Sequence, residues 1–254
     1  MGTPFSRIVR PLTAHADGGS RLRAWPRSFE SLFDAESGIE LRRGQFAAFV
    51  TEDPEAASHA ADRLGRFVAD VDGVLLNGVP LAEFSVADTR SHIVVSEIEP
   101  RLFSGELRYE LMPHERVNDA VIIDALDAAS AVDILDALEA GLDTHVEERG
   151  RSFSGGQRQR LSLARALLTE ADVLILVEPT SAVDTHTEGR IATRLKEVRQ
   201  GRTTLVATTS PLMLEKMDLV LVLHEGRVVA QGTHATLVAT SSQYRRIVLR
   251  DESL

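Results

Sequence analysis

The stretch that decides the fold is FSGGQRQRLSLARALLTEADVLILVEPTSAVD, Phe153 to Asp184. After a glycine pair, apolar residues recur with the period of a helix, and the continuous apolar run Val173–Val177 follows. A helix that leads into a short apolar run bounded by turn residues is typical of an α/β protein, in which parallel strands are buried between helices. An acid, Glu178, stands directly after the run, where the carboxyl end of the strand would expose it.

The start of this helix has the chemistry of an anion site. Gly155 and Gly156 carry no Cβ, so their backbone N–H groups are open to an approaching anion. The helix dipole favours negative charge at the same end. Ser154 and Gln157 can add side-chain donors. We expect both glycines to face solvent, so that a change at either would leave the core intact.

The rest of the chain continues the alternation of strands and helices. Strands are predicted at 38–44, 46–50, 73–81, 91–97, 172–178 and 202–210, with a hairpin over 218–234 that turns at Glu225-Gly226. Helices are predicted after Pro54, over 107–143, over 160–171 and over 185–201. The block at 106–145 is rich in Ala, Leu and Asp and reads as an all-helical insertion.

Composition excludes several classes of function. The chain has 254 residues, 43% hydrophobic residues, no cysteine and a net charge of −10. Disulfides and thiolate zinc sites are therefore excluded, and nucleic acid is a poor partner because it needs a basic surface. No apolar run approaches the ~20 residues of a membrane span. Residues 1–28 are locally basic and read as a linker or a membrane-proximal segment.

Four segments together resemble the nucleotide-binding domain of ATP-binding cassette (ABC) transporters. They are FSGGQRQR (153–160), LARALL (163–168), ADVLILVEPTSAVD (171–184) and GRVVAQGTHATLV (226–238), in the order and spacing of that family. The resemblance covers roughly residues 20–250. It implies an α/β, P-loop NTPase-like core with a mixed, largely parallel sheet, plus an all-helical subdomain that carries the signature loop. The implied divisions are 1–28 (basic linker), 29–98 (first part of the core), 99–165 (helical subdomain) and 166–254 (second part of the core).

The resemblance also implies roles for two loops. The signature loop, formed by Phe153, Ser154, Gly155, Gly156 and Gln157, would bind the γ-phosphate of an ATP held by a second, facing domain. The D-loop, formed by Ser181, Ala182, Val183 and Asp184, would contact the same partner. ATP and Mg²⁺ are thus expected at a composite site shared with a second ABC subunit.

The chain's own phosphate loop departs from the family pattern. Counted from Gly44, the pattern G-x-x-x-x-G-K-[ST] falls on 51–58. Its two glycine positions hold Thr51 and Ala56, its lysine position holds Ala57, and only Ser58 keeps its type. The loop instead carries the acids Glu52, Asp53 and Glu55. Asp53 before Pro54 is a good helix N-cap, so we expect a carboxylate to take the place of the phosphate at this helix N-terminus.

Other family positions have changed as well. The metal-organising aspartate falls on Val177, the switch histidine on Thr209 and the Q-loop glutamine on Ile98. Glu178 keeps the position of the catalytic base, where we expect it to be idle. Trp25 lies where the family keeps an aromatic residue that stacks on adenine, and a hydrophobic plug is an equally good interpretation. No set of histidines predicts a metal site.

The signature loop keeps the family pattern, whereas the phosphate loop, the metal-organising aspartate and the switch histidine do not. This combination predicts a catalytically degenerate subunit of a heterodimeric, exporter-type transporter. The partner would supply an intact nucleotide site, and a transmembrane domain would belong to a longer form of this chain or to a separate one. Two alternatives stay open: an ATPase that still turns over slowly, and an interaction or scaffold protein derived from an ABC domain. By resemblance the chain would work at the cytoplasmic face of the membrane.

Overall fold

The computed structural model describes residues 22–96, 102–112 and 118–249. The strands are β1 (Ser31–Asp34), β2 (Ile39–Arg42), β3 (Phe46–Val50), β4 (Val74–Leu76), β5 (Val79–Pro80), β6 (Ile93–Ser96), β7 (Gly105–Glu106), β8 (His145–Val146), β9 (Val173–Val177), β10 (Thr203–Ala207), β11 (Leu219–His224) and β12 (Arg227–Gly232). The helices are α1 (Pro54–Leu64), α2 (Val86–His92), α3 (Leu107–Leu111), α4 (Asp119–Ala128), α5 (Val132–Asp136), α6 (Gly155–Leu168), α7 (Thr185–Val198), α8 (Pro211–Leu214), α9 (His234–Thr240) and α10 (Ser242–Leu249). Over these described ranges, no helix has the length and apolar character needed to cross a membrane.

The main sheet has six strands in the order β12-β11-β3-β10-β9-β6. All neighbours are parallel except the edge pair β11 and β12, which is antiparallel. That hairpin turns at Glu225-Gly226, and both residues have positive φ (48° and 75°), as a type I′ turn requires. Strands β3, β9 and β10 are buried throughout, as the continuous apolar runs predicted for β3 and β9. Because the strands are parallel, their carboxyl ends form one edge.

A second sheet, β2-β1-β4-β5, is antiparallel and packs over α1 and one face of the main sheet. Strand β1 was not predicted, because it is short and its inward positions are Leu32 and a charged residue, Asp34. Asp34 lies inside because Arg63 of α1 donates to it at 2.9 Å, with both side chains almost fully buried. This ion pair fastens the β1–β2 hairpin to α1.

The helical subdomain contains α3, α4, α5 and the start of α6, and it packs on the other face of the main sheet. The prediction of an all-helical insertion needs one correction. Its two ends are paired in a two-stranded antiparallel ribbon formed by β7 and β8. Glu110 of α3 and Arg165 of α6 form a buried ion pair inside this part. Helix α7 ends at Val198, three residues before the predicted end, because Gly201 already lies in a turn with φ of 79°. The α/β core with a helical subdomain is otherwise as the sequence predicted.

Candidate functional site

The carboxyl edge of the main sheet brings the ends of β3, β9 and β10 together. The Thr208 amide donates to the Phe49 carbonyl at 3.2 Å, and the Glu178 amide donates to the Ala207 carbonyl at 2.8 Å. The Thr208 hydroxyl also lies 3.3 Å from a Glu178 carboxylate oxygen. The loop that follows β3 therefore shares an edge with Glu178 and with the residues after β10.

The loop after β3 is closed by its own side chains. Asp53 is the N-cap of α1, and its carboxylate accepts from the Glu55 amide at 2.9 Å. The Asp53 amide donates in turn to the Thr51 hydroxyl at 3.1 Å. Pro54, at the first helical position, has no N–H to offer. The cap predicted from the sequence is confirmed, and a carboxylate occupies the helix N-terminus where an anion would be bound.

Two positions that would hold the lysine and the metal-organising aspartate are now apolar and buried. Ala57 is 7% exposed and packs in the cluster between α1 and the two sheets. Val177, at the end of β9, is 5% exposed in the same cluster. Ala56 is half-buried and Ser58 is exposed. Among the described residues, no group of three His, Asp or Glu side chains is arranged to hold a metal ion.

Glu178 stands on a strained turn at the end of β9. Its φ is 46°, a left-handed conformation that costs a non-glycine residue free energy. Its carboxyl is half-buried, and burial raises its pKa above the ordinary value of a glutamate. The Thr208 hydroxyl and the Thr209 amide donate to the carboxylate and oppose this rise. Thr209 thus contacts the Glu178 carboxylate through its backbone amide. A histidine at this position could also contact a neighbour through its ring nitrogens.

The signature loop forms a capping box at the start of α6. The Gln157 amide donates to the Ser154 hydroxyl oxygen at 3.2 Å, and the Ser154 amide donates to the Gln157 side-chain oxygen at 2.8 Å. Among the described residues, neither the O–H of exposed Ser154 nor the side-chain NH₂ of half-buried Gln157 has a hydrogen-bond acceptor. Phe153 is 6% exposed in the core, so its side chain anchors the loop and does not face a ligand.

The two glycines of the signature loop have different surroundings. A Cβ on Gly155 would have Ala182 Cβ as its nearest neighbour at 3.9 Å, whereas a Cβ on Gly156 would lie 2.5 Å from the Ala182 carbonyl oxygen. The expectation that both glycines face solvent is therefore wrong for Gly156. Its missing side chain makes room for the D-loop of the same chain, and only Gly155 is open.

The D-loop is ordered at both ends by hydrogen bonds. Asp184 is the N-cap of α7 and accepts from the Thr187 amide at 3.0 Å and from the Thr187 hydroxyl at 2.7 Å. These bonds lower the pKa of Asp184. Ser181 and Ala182 are exposed, and Val183 is half-buried against the core. The loop thus presents a short rigid ridge beside the signature loop.

Gln159 links these two loops, and sequence reasoning missed it. Its side-chain NH₂ donates to the Glu178 carbonyl at 2.8 Å and to the Ser181 hydroxyl at 3.0 Å. Its side-chain oxygen accepts from the Ala182 amide at 2.9 Å. Its signal in the sequence was its place inside the FSGGQRQR segment (153–160), of which only residues 153–157 had been assigned a role.

Trp25 is not brought to the loop after β3. Its ring stacks on His92 with centroids 4.6 Å apart and planes 4° from parallel, and its edge contacts Phe84. His92 pairs with Asp172 at 2.7 Å. His92 and Asp172 directly precede β6 and β9, so this group lies at the amino edge of the sheet, opposite the carboxyl edge that carries Thr51. Ile98, at the Q-loop position, lies outside the described residues.

Comparison with known proteins agrees with this architecture. The family model described as ABC transporter matches residues 64–181. The ATP-dependent lipid A-core flippase of Pseudomonas aeruginosa is 39% identical over 212 residues, which cover 80% of this chain and 34% of the flippase. The flippase of Haemophilus ducreyi is 36% identical over 210 residues, 82% of this chain and 36% of the flippase. A solved structure of a bacterial Atm1-family ABC exporter with ATP bound superposes with a TM-score of 0.81 at 26% identity, covering 92% of this chain and 45% of the exporter.

The chain belongs to the ABC transporter family. It has the fold of the ABC nucleotide-binding domain, and it spans about a third of the length of the curated relatives it matches. Within this ABC domain, the surface formed by the signature loop and the D-loop retains free hydrogen-bond donors. In the loop at 51–58 the Asp53 carboxylate caps α1, and Ala57, where the resemblance expects the lysine, is buried in the core.

Proposed function

We propose that this chain is the nucleotide-binding part of an exporter-type ABC transporter that is degenerate at its own site and donates its signature loop to the ATP site of a partner subunit. ATP and Mg²⁺ would be held by the partner's intact phosphate loop, at the cytoplasmic face of the membrane. A transmembrane domain would complete each half. The substrate would be chosen by that membrane domain.

The observation that carries the proposal is the contrast between two helix N-termini. At α1, the carboxylate of Asp53 satisfies the Glu55 amide, and two further acids stand in the same loop. At α6, Gly155 is open and the Ser154 hydroxyl proton is unused by the capping box. A like-charge contact at ~4 Å costs about 1 kcal/mol in water and about 4 kcal/mol at an effective dielectric near 20. The first N-terminus therefore opposes a phosphate and the second favours one.

A slow ATPase is the second candidate, and Glu178 favours it. The carboxyl stands at the family's catalytic-base position with its pKa raised by burial, which is the direction a general base at neutral pH needs. Such an enzyme would have to hold the phosphates through backbone groups alone. Binding of nucleotide by this chain without a partner separates the two candidates.

The test is calorimetric titration of the isolated chain with ATP and Mg²⁺. We expect a Kd weaker than ~1 mM, about 4 kcal/mol of affinity. The single repair Ala57→Lys should restore neither tight binding nor hydrolysis, because Val177 and Thr209 still lack the family's side chains. Ser58→Lys places the same charge on an exposed neighbour and is the matched control. Micromolar binding by the unaltered chain would favour the slow ATPase.

The partner is sought by purifying a tagged copy of this chain from its native membranes. We expect an ABC subunit with an intact phosphate-loop lysine to co-purify and the complex to hydrolyse ATP. If the chain purified alone and neither bound nor hydrolysed ATP, an interaction or scaffold function would be the remaining candidate.

A further inference from the structure

We propose that Gln159 is a positioning residue that joins the signature loop and the D-loop into one rigid unit, and that the partner's rate of ATP hydrolysis depends on this joint. The inference rests on the proposed function, because it concerns how the donated surface is held. Gln159 itself is 5% exposed and would touch no nucleotide.

The hydrogen bonds of Gln159 span two elements that are separate in sequence. From the second turn of α6, its NH₂ reaches the carbonyl of Glu178 and the hydroxyl of Ser181, while its oxygen receives the amide of Ala182. Both N–H groups are thus used, at 2.8 and 3.0 Å. A buried amide with its donors paired is costly to remove, because its partners would be left without water or protein in exchange.

The chemistry of the site requires an amide. The Glu178 carbonyl can only accept, so it needs a donor, and the Ala182 amide can only donate, so it needs an acceptor. Glutamine supplies both from one planar group. A carboxylate at position 159 would keep the bond from Ala182 but face the Glu178 carbonyl with a second acceptor.

Two further features make the joint rigid. The Gln159 side chain holds the Glu178 carbonyl at a residue whose φ is 46°, so it fixes the orientation of a strained peptide between β9 and the D-loop. One turn earlier in α6, Gly156 lets the Ala182 carbonyl oxygen approach closely. A Cβ at position 156 would lie only 2.5 Å from that oxygen. The D-loop is therefore held against α6 at Ala182 by close packing on Gly156 and by a hydrogen bond to Gln159.

The consequence for the partner's site is geometric. Both loops would approach the same ATP, and a shift of ~1 Å in a group that positions a reactant can cost ~10²-fold in rate. Loosening the joint should therefore lower kcat of the partner's site. The KM should change little, since the partner's own phosphate loop would supply most of the ATP affinity.

The test uses Gln159→Met, which keeps length and removes the hydrogen bonds, with Gln200→Met in the exposed turn after α7 as the control. In the isolated chain we expect hydrogen exchange at the Ala182 amide to accelerate at least ~10-fold. Amides of α6 from Leu161 onward should stay protected. In the complex purified from native membranes, we expect kcat to fall about 10- to 100-fold with KM within a few-fold.

The outcomes separate this inference from the proposed function. Unchanged hydrogen exchange at the Ala182 amide would overturn the role of Gln159 alone. So would faster exchange with an unchanged kcat, if Gly155→Asp abolished turnover in the same assay. If Gly155→Asp also left turnover unchanged, the proposed function itself would fail. Gln159→Glu provides a second variant should Gln159→Met not fold, and it is expected to lower kcat with Ala182 still protected.

Discussion

At the N-terminus of α6, two adjacent glycines meet different neighbours. An added methyl group would lie 2.5 Å from the Ala182 carbonyl oxygen at Gly156 but 3.9 Å from its nearest neighbour at Gly155. A backbone oxygen cannot turn away as a side chain can, so at Gly156 the D-loop itself would have to move. At Gly155 the methyl group would make only an ordinary van der Waals contact with the Ala182 side chain.

We therefore predict opposite effects for two otherwise identical substitutions. Gly156→Ala should lower the free energy of unfolding by about 1–3 kcal/mol through overpacking. Gly155→Ala should be neutral or should stabilise the helix by up to ~1 kcal/mol, since alanine costs less backbone entropy than glycine in a helix. Urea unfolding of both variants measures the difference. Equal free energies would show that the D-loop does not rest on Gly156.

At the scale of single elements, the start of helix α1 is stabilised by side chains of its own segment. Asp53 caps it, Pro54 sets its first turn and Glu55 places a negative charge near the positive end of the dipole. Helix α7 begins in the same way at Asp184. At both helices a side-chain carboxylate thus satisfies a backbone amide of the first turn.

Asp53→Ala should destabilise α1 by about 0.5–2 kcal/mol, the range found for the loss of an N-cap. In a chain of this size each kcal/mol corresponds to roughly 2–4 °C in Tm. Glu52→Ala removes a neighbouring exposed acid without removing a cap and is the control. A Tm that falls equally in both variants would assign the effect to loop charge.

The pair Asp34–Arg63 ties the β1–β2 hairpin to α1 and should give a pH signature. Burial alone would raise the pKa of Asp34, but the hydrogen bonds from Arg63 and Ser37 and the Arg63 charge outweigh it, so the pKa lies below its ordinary value. A lowered folded-state pKa means that this contribution is present above about pH 4. It is lost as pH falls further, through the folded-state pKa.

Asp34→Asn should therefore lower the free energy of unfolding by up to about 3–5 kcal/mol at neutral pH, because only the exposed Glu36 carboxylate would remain to pair with the buried Arg63 guanidinium. Below pH 4 the difference from the unaltered chain should shrink. Denaturant unfolding between pH 7 and pH 2.5 measures it, with Glu40→Gln on the exposed side of β2 as the control. A constant difference across that range would contradict the assignment to an ion pair.

At the scale of the whole molecule, the two faces of this ABC domain would have unequal roles in a complex. Under the proposed function, Glu178→Gln should leave ATP turnover of the purified complex within a few-fold, since no nucleotide is expected beside it. Gly155→Asp should lower turnover by at least ~10²–10³-fold, because loss of one donor from an anion hole already costs that much and a carboxylate adds repulsion. Steady-state ATPase assays decide between the faces.

A complex inactivated by Glu178→Gln but not by Gly155→Asp would reverse the roles assigned here. Gly156→Asp is a poorer probe of the contact with the partner than Gly155→Asp, although the two glycines could not be told apart from the sequence. Its side chain would displace Ala182 and disturb the D-loop within this chain, so a loss of activity would not isolate the contact with the partner.

The sequence by itself determined the features that depend on neighbouring residues. The N-cap at Asp53, the turn at Glu225-Gly226 and the buried strands Phe46–Val50 and Val173–Val177 follow from local chemistry and periodicity, and the structure confirms them. The order of motifs also sufficed to indicate the family and its fold.

Only the tertiary structure decided the features that depend on residues far apart in the chain. Strand β1 exists because Asp34 meets Arg63, 29 residues later. Trp25 stacks on His92, 67 positions further along the chain, at the amino edge of the sheet. Gln159 and Gly156 acquire their roles from the path of the D-loop, about 20 residues further along. Contacts between residues so far apart leave no periodic pattern in the sequence. They could be recognised only in the folded structure, where the sheet brings the segments together.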